Sequence, residues 1–366
     1  MKGNPRTRGL YLGVSLLVAV VILSIILLRS SFFNEEYEVK NISFFYVENG
    51  EFQPLETTQE KPIKNASLGF LADTVWAKLD LTDFAKNGEE SIIEVRNPTF
   101  RIVELYKVAK GESIKQENRL FKEHLGKGNP FTYPFPIFKE KIEESETYYL
   151  KIFSTEPIAF SVAVSEVDEF YHKYTTIISL VSIYVGIMIA LFLYNLLLYF
   201  SVKDKVYFFY CLYILFIAAV QLSILGYSYF FIFFQNSILY ENSLIVFSSL
   251  SGIFGVLFLR YFLQTKKHLP LINKGLNLIF LVYTISSVVR VFGFVSLSYS
   301  FTDLGALLVV VFFVSTGIIM ARRGYRPAFY FLAAWIFFLF GLLLFVFQNL
   351  GLINFGSFSN LPMLIG

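Results

Sequence analysis

IISLVSIYVGIMIALFLYNLLLY, residues 177–199, carries no charged side chain, and its only amide side chain is Asn195. As a helix rising ~1.5 Å per residue, this run is long enough to cross the roughly 30 Å hydrocarbon core of a bilayer. Runs of the same character recur at Tyr207–Leu225, Ser243–Phe262, Leu276–Val295, Phe301–Ala321 and Ala328–Leu350. The connections between them alternate in charge. Lys203 and Lys205 lie in the first, Lys266, Lys267 and Lys274 in the third, and Arg322, Arg323 and Arg326 in the fifth, while the second, fourth and sixth carry neither Lys nor Arg. Cationic loops stay on the cytoplasmic side, so the pattern predicts odd-numbered loops inside and a first helix entering from outside.

The N-terminus demands the same orientation independently. Lys2, Arg6 and Arg8 precede an apolar run from Leu10 to Leu28 that ends at Arg29 without a small-residue cleavage pattern. This reads as an uncleaved signal-anchor helix with a cytoplasmic N-terminus. The alternative, a cleaved signal, sends the following segment out of the cytoplasm as well. A chain that is 55% hydrophobic and 16% charged is not an ordinary soluble domain. Its formal net charge of +3 is too small to point to a nucleic-acid partner.

Between the anchor and the first of the six spans the pattern changes. NISFFYVE, WAKLDL, SIIEVRN, RIVELYKV, TYYLKIFS and IAFSVAV alternate with period two and are rich in aromatic and β-branched residues. Turn signals such as ENG, KNGEE and GKGNP separate several of them. The expected architecture is a membrane protein in three parts: a cytoplasmic N-terminus with its anchor helix (1–31), an extracytoplasmic all-β sandwich of jelly-roll type (32–172), and a polytopic helical bundle (173–366). The bundle has six complete spans. The chain stops at SNLPMLIG, where a seventh would begin, so the sequence reads as a piece of a longer protein.

Catalytic chemistry finds little to work with. There is no P-loop, no G-x-S-x-G and no H-E-x-x-H. Cys211 has no second thiol to pair with, and His124, His172 and His268 sit in no metal-ligand motif, so neither metal nor cofactor is expected. GKGN at Gly126–Asn129 lacks the length of a phosphate loop and reads as a turn. Acidic runs such as EKIEESE read as a solvated face.

The order of parts, with particular residues, resembles bacterial seven-transmembrane receptors with diverse intracellular signalling modules. VWAKLDL around Trp76, Glu94, Asn97-Pro98, VELY ending at Tyr106 and the late strand TYYLKIFS are similar to that family's extracellular domain. Gly186, Tyr194-Asn195, the basic turn SVKDKVY, Tyr207, Tyr210, Gly226 and GYRPAFYFLAAW resemble its helical region. The resemblance implies a receptor whose outer domain binds a small molecule or carbohydrate and whose bundle relays to a cytoplasmic signalling domain in cis, in some cases as a homodimer. It makes Trp76, Asn97 and Tyr106 the candidate ligand residues. For Trp76, stacking on a sugar competes with the commoner role of packing a core.

Within the spans, polar residues are expensive and therefore informative. Gln221, Arg290 and Gln348 fall in the outer third of their helices, and Asp303 starts the next helix after Arg290. Asn195, Tyr207, Tyr210 and Arg260 fall in the inner third. Two couplings are expected: an outer one, with Arg290 turned inward onto Asp303 or Gln221, and an inner one, with Asn195 hydrogen-bonded from helix to helix. The competing reading, with Arg290 snorkelling to headgroups, requires no partner. A competing function, a transporter or membrane-embedded transferase, calls for ionisable or helix-breaking residues near the midplane. No Asp, Glu or Lys lies deep in a span, and no proline lies inside a complete one.

Overall fold

The computed structural model describes residues 39, 42–45, 61–62, 66–69, 74–85, 89–100, 102–109, 112–118, 133–143, 145–233 and 236–335. The anchor run, His124, residues 126–129, the end of the sixth span with Gln348 and the start of a seventh lie outside them.

Eleven strands precede the helices: β1 (Ile42–Phe45), β2 (Lys61–Pro62), β3 (Ala66–Gly69), β4 (Val75–Leu79), β5 (Glu90–Val95), β6 (Ile102–Ala109), β7 (Glu112–Asn118), β8 (Ile137–Lys141), β9 (Thr147–Phe153), β10 (Ile158–Phe160) and β11 (Val162–Glu166). They form a six-stranded sheet in the order β2-β1-β4-β9-β6-β7, a three-stranded sheet β11-β5-β8 and a β10-β3 pair. Every pairing is antiparallel. Alternate residues of the two larger sheets meet in one apolar core. Ala77, Leu79, Val103, Leu105, Leu150 and Ile152 come from the large sheet, and Ile93, Val95, Phe138, Val162 and Val164 from the small one. Each fully buried Leu, Ile or Val contributes about 1.5–3 kcal/mol, so the sandwich rests on this layer. β5 is buried on both faces. Ile93 and Val95 face the sandwich core, which turns Ile92 and Glu94 the other way, toward the helices.

Five helices among the described residues are long and apolar enough to span a membrane: α1 (Val167–Val202), α2 (Lys205–Ile224), α3 (Ser237–Phe262), α4 (Pro270–Val291) and α5 (Val295–Arg322). A further helix begins at residues 326–335. The chain is a multi-pass membrane protein. Single helical turns at Ser228–Phe231 and Thr265–His268 occupy two of the connections. The helix boundaries have local causes. Asp204 caps α2 by accepting from the Val206 amide at 2.9 Å, Asn236 caps α3 by accepting from Leu239 at 3.1 Å, and Pro270 opens α4.

α1 runs for 36 residues, roughly 54 Å, much more than a bilayer core requires. It starts ten residues before its apolar run, because the polar stretch Asp168–Thr176 packs against the small sheet rather than turning away. Only 11% of its apolar window is buried, so within the described bundle it is peripheral and rests on α2. α3 is central, touching α2, α4 and α5. Close approach there depends on Gly252 of α3 and Gly305 of α5, which lie on either side of the Tyr283 ring and leave no room for a Cβ. Trp335 closes the centre against Tyr213, Phe258, Phe313 and Phe331.

Since α1 leaves the small sheet directly, the α2–α3 and α4–α5 connections return to the sheet end. The α1–α2, α3–α4 and α5–326 connections, with Lys203, Lys266, Lys267, Arg322 and Arg323, gather at the far end.

Candidate functional site

The sheets and the bundle meet over a buried surface, and the charged residues at the heart of it come from both. The β9–β10 turn, Ser154 to Pro157, is closed by its own hydrogen bonds: the Ser154 hydroxyl accepts from the Glu156 amide at 3.0 Å and donates to the Glu156 carbonyl at 3.2 Å. That turn projects Glu156 onto Arg290 of α4. Arg290 Nη2 lies 2.5 Å from Glu156 Oε1, and Nη1 lies 3.4 Å from Oε2. Arg290 Nε donates to Asn242 Oδ1 at 3.1 Å, and its Nη2 also reaches the Glu241 carbonyl. Tyr299 of α5 hydrogen-bonds the same carboxylate. The Arg290 and Glu156 side chains are 3% and 7% exposed, which makes this a desolvated pair. One carboxylate from a sheet turn is thereby tied to three helices.

A second carboxylate works in parallel. Glu94 of β5 accepts from the Tyr133 hydroxyl at 2.5 Å, and its other oxygen lies 3.3 Å from Arg96 Nε and 3.4 Å from Lys173 Nζ of α1. Burial alone would raise the Glu94 carboxyl. The Arg96 guanidinium, the Lys173 ammonium and the hydrogen bonds from Tyr133 and Arg96 outweigh it and hold the group at about 2. The same burial, with the Glu94 charge, drives the Tyr133 phenol well above its ordinary value. Around this carboxylate, Tyr133 packs edge-on against Phe170 and Tyr174 of α1, at 5.0 and 5.4 Å between ring centroids.

The third contact is steric. Gly226, just after α2, has φ +79°, and a Cβ there would stand 2.6 Å from the Cβ atoms of both Pro98 and Pro134. Nearby, the Tyr240 hydroxyl of α3 donates to the Pro98 carbonyl at 3.3 Å. Between these contacts a cavity of about 20 Å³, lined by Thr99, Glu156, Ser223, Tyr240, Ser243 and Tyr299, has room for a single water.

The residues singled out in the sequence fall in different places. Trp76 is 1% exposed, its ring 5.1 Å from that of Tyr106 on one face of the large sheet, with Lys151 Nζ 5.5 Å above it. A ring so covered presents no face to a sugar. The Tyr106 hydroxyl donates to Glu104 Oε2 at 2.7 Å. Asn97 is not with them. Its Oδ1 accepts from the amide and hydroxyl of Thr99 at 2.7 and 2.6 Å, an Asx turn that shapes the Pro98 corner docked onto Gly226 and Tyr240.

In the bundle, Arg290 turns inward, but its partner is Glu156 rather than Asp303 or Gln221. The ion pair lies 134 residues apart in sequence, and a docked β domain supplies the counter-charge that the neighbouring helix was expected to provide. Asp303 and Gln221 are themselves 8% and 5% exposed. Asn195 also departs from expectation. Its Nδ2 donates to the Leu191 carbonyl of its own helix at 2.8 Å, and a hydrogen bond from α2 to α1 is donated instead by Cys211 Sγ to the Phe192 carbonyl at 3.6 Å. Arg260 bonds across to α4, at the Asn273 carbonyl (3.2 Å) and Asn277 Oδ1. Asn195, Tyr207 and Tyr210 share one cavity at the far end.

Sequence reasoning missed Glu156, Asn242 and Tyr299. Acidic runs such as EKIEESE read as a solvated face, but Glu94, Glu104 and Glu156, which lie outside that run, are 2%, 7% and 6% exposed. The available signal was local: Glu156 stands alone between two apolar strands in KIFSTEPIAFSVAV. Among the described residues, no group of three or more His, Cys, Asp or Glu side chains could hold a metal ion.

A family model described as 7TM diverse intracellular signalling matches residues 178–366, and one described as 7TMR-DISM extracellular 2 matches residues 35–166. Comparison with curated proteins and with solved structures gave no match.

Proposed function

The chain belongs to the 7TM diverse intracellular signalling family, and from that premise we propose how this transmembrane signalling receptor works: its β domain senses a small molecule or carbohydrate outside the cytoplasm, and the bundle carries the event to a signalling domain on the cytoplasmic side. The matched domains are sensory rather than catalytic. The orientation rests on the basic loops gathered at the far end of the bundle, which favours an inner-membrane protein with its sheets on the outer side. The lipid bilayer, the outer ligand and a cytoplasmic module in cis are its partners, and pairing of two copies would bring two such modules together.

The observation that carries this reading is the Glu156–Arg290 pair. Moving the β9–β10 turn must either drag Arg290 and with it Asn242, Glu241 and Tyr299, or strand a buried charge. A ligand that prefers one position of the turn therefore biases α3, α4 and α5 together, which is what relay between two sites requires. Asn97 stands on this transmission path through the Pro98 corner. Trp76 and Tyr106 can meet a ligand only if their sheet face is first uncovered.

The test is a pair of spin labels at exposed Lys203 and Lys266, on the far side of the membrane from Glu156. Glu156→Gln should shift or broaden the label-to-label distance distribution measured by double electron–electron resonance. An unchanged distribution would overturn the relay, and a reporter fused at Lys266 that is active only outside the cytoplasm would overturn the orientation.

A further inference from the structure

At the far end, between the last turns of α1 and α3 and the first turn of α2, lies a cavity of about 370 Å³ lined by Asn195, Asp204, Tyr207, Tyr210, Tyr261 and Gln264 among others. That volume lies in the range of small-molecule sites. Its lining has a consistent chemistry. Asn195 is 7% exposed, its Nδ2 is committed to the Leu191 carbonyl, and its amide oxygen receives no hydrogen bond among the described residues. The hydroxyls of Tyr207, Tyr210 and Tyr261 make no hydrogen bond within the described residues, and Asp204 contributes a carboxylate at the mouth. Phe258 and Phe262 complete an aromatic wall. Acceptor oxygens, one negative charge and π faces all favour a cation that carries N–H donors.

The place narrows the source. The cavity opens where α1 and α3 end and α2 begins, the level at which a bilayer changes from hydrocarbon to headgroups. Lys203, whose Nζ sits 5.3 Å from the Phe200 ring centroid, is anchored at that level. Lys205 adjoins the lining residue Asp204, and exposed Lys266 and Lys267 follow the lining residue Gln264 closely in the chain, so this end carries positive charge suited to phosphate. We propose that this cavity is a lipid site that takes the primary ammonium of a phospholipid headgroup, with the phosphate left at the lysine rim.

The experiment uses the full chain in lipid nanodiscs, with bound lipid counted by native mass spectrometry after transfer to detergent. Phosphatidylethanolamine, phosphatidylcholine and phosphatidylglycerol are offered in equal amounts. The expected result is retention of phosphatidylethanolamine over the other two by about tenfold, the ratio given by ~1.4 kcal/mol of preference. Asp204→Asn removes the charge while keeping a good helix cap, so it should erase the preference without unfolding α2. Tyr207→Phe, which removes one acceptor and keeps the ring, should lower it two- to threefold, roughly the loss of one neutral hydrogen bond. Equal retention of the three lipids, or an unaltered preference in both variants, would overturn the site. Displacement of the lipid by soluble ethanolamine would assign the cavity to a water-borne amine and overturn the lipid source.

Discussion

The two ends of the bundle are built on opposite plans. At the sheet end the α2–α3 connection is docked onto the β domain, whereas the α4–α5 connection at Gly293 (φ +87°) has nothing within 4 Å of its Cβ position. Glu156 and Arg290 neutralise one another, Glu94 holds Lys173, and Gly226 is pressed against two prolines with no room for a side chain. At the far end the helices part around a cavity of about 370 Å³, and Gly324, with φ +77° close to that of Gly226, has nothing within 4 Å of where its Cβ would be. The difference shows where each end draws its stability. One depends on another domain staying docked, and the other, among the described residues, is held by its own helices and so can tolerate change. A relay needs this asymmetry, since the sensing end must not slip while the far end must be able to rearrange.

The contrast is most exposed to test at the ion pair. Arg290→Ala should destabilise the docked state by about 3–5 kcal/mol, because it leaves a buried carboxylate without its counter-charge. Adding Glu156→Ala should restore a large part of the loss, and thermal melts of the wild type, both single variants and the double variant would measure the coupling. Additive losses would show that the sheets are held by something else.

Acid should loosen the same end next. Glu94 is held at about 2, against an ordinary value of 4.5, so its folded state binds the proton more weakly than its unfolded state. The stabilisation is fully present above pH 4.5 and is lost as pH falls toward 2, amounting to at most about 3 kcal/mol. Glu94→Gln should flatten that part of the stability profile. A wild-type profile that is flat from pH 5 to 3 would remove Glu94 from the interface account.

The smallest effect gives the sharpest comparison. Gly324→Ala adds only the strain of a left-handed residue, about 1 kcal/mol. Gly226→Ala adds the same strain and must also push Pro98 and Pro134 aside, an overpacking cost of about 1–3 kcal/mol more. Equal melting shifts for the two would mean that the sheets yield freely at the Pro98 corner.

Much of the architecture was legible because the membrane imposes a simple rule. An uninterrupted apolar run of some twenty residues has few alternatives, and five of the expected runs are helices among the described residues. Strands such as SIIEVRN and TYYLKIFS announced themselves by period-two patterning. What could not be read was the docking. α1 begins at Val167 because Phe170 and Tyr174 have Tyr133, in the segment leading into β8, to pack against, and nothing in Asp168–Thr176 says so. Arg290 was visible as a charge in need of a partner, but the nearest acid in sequence was Asp303, and the one that folding supplies comes from the four-residue β9–β10 connection in the β domain. Asn195 illustrates the limit within one helix, since the carbonyl one turn back was available at no cost in chain entropy and captured the amide.

α1 has a mechanical consequence. It is a single unbroken rod of 36 residues, clasped by the small sheet at one end and forming part of the wall of the far cavity, through Asn195, at the other. Among the described residues few neighbours brace it along its length. A stiff lever about 54 Å long turns small angles into large strokes: a tilt of only ~5° at the clasped end displaces the free end by roughly 5 Å. A displacement of that size exceeds the ~4 Å at which side chains touch, so a movement too slight to open the sheets would be enough to remodel the opposite side of the membrane.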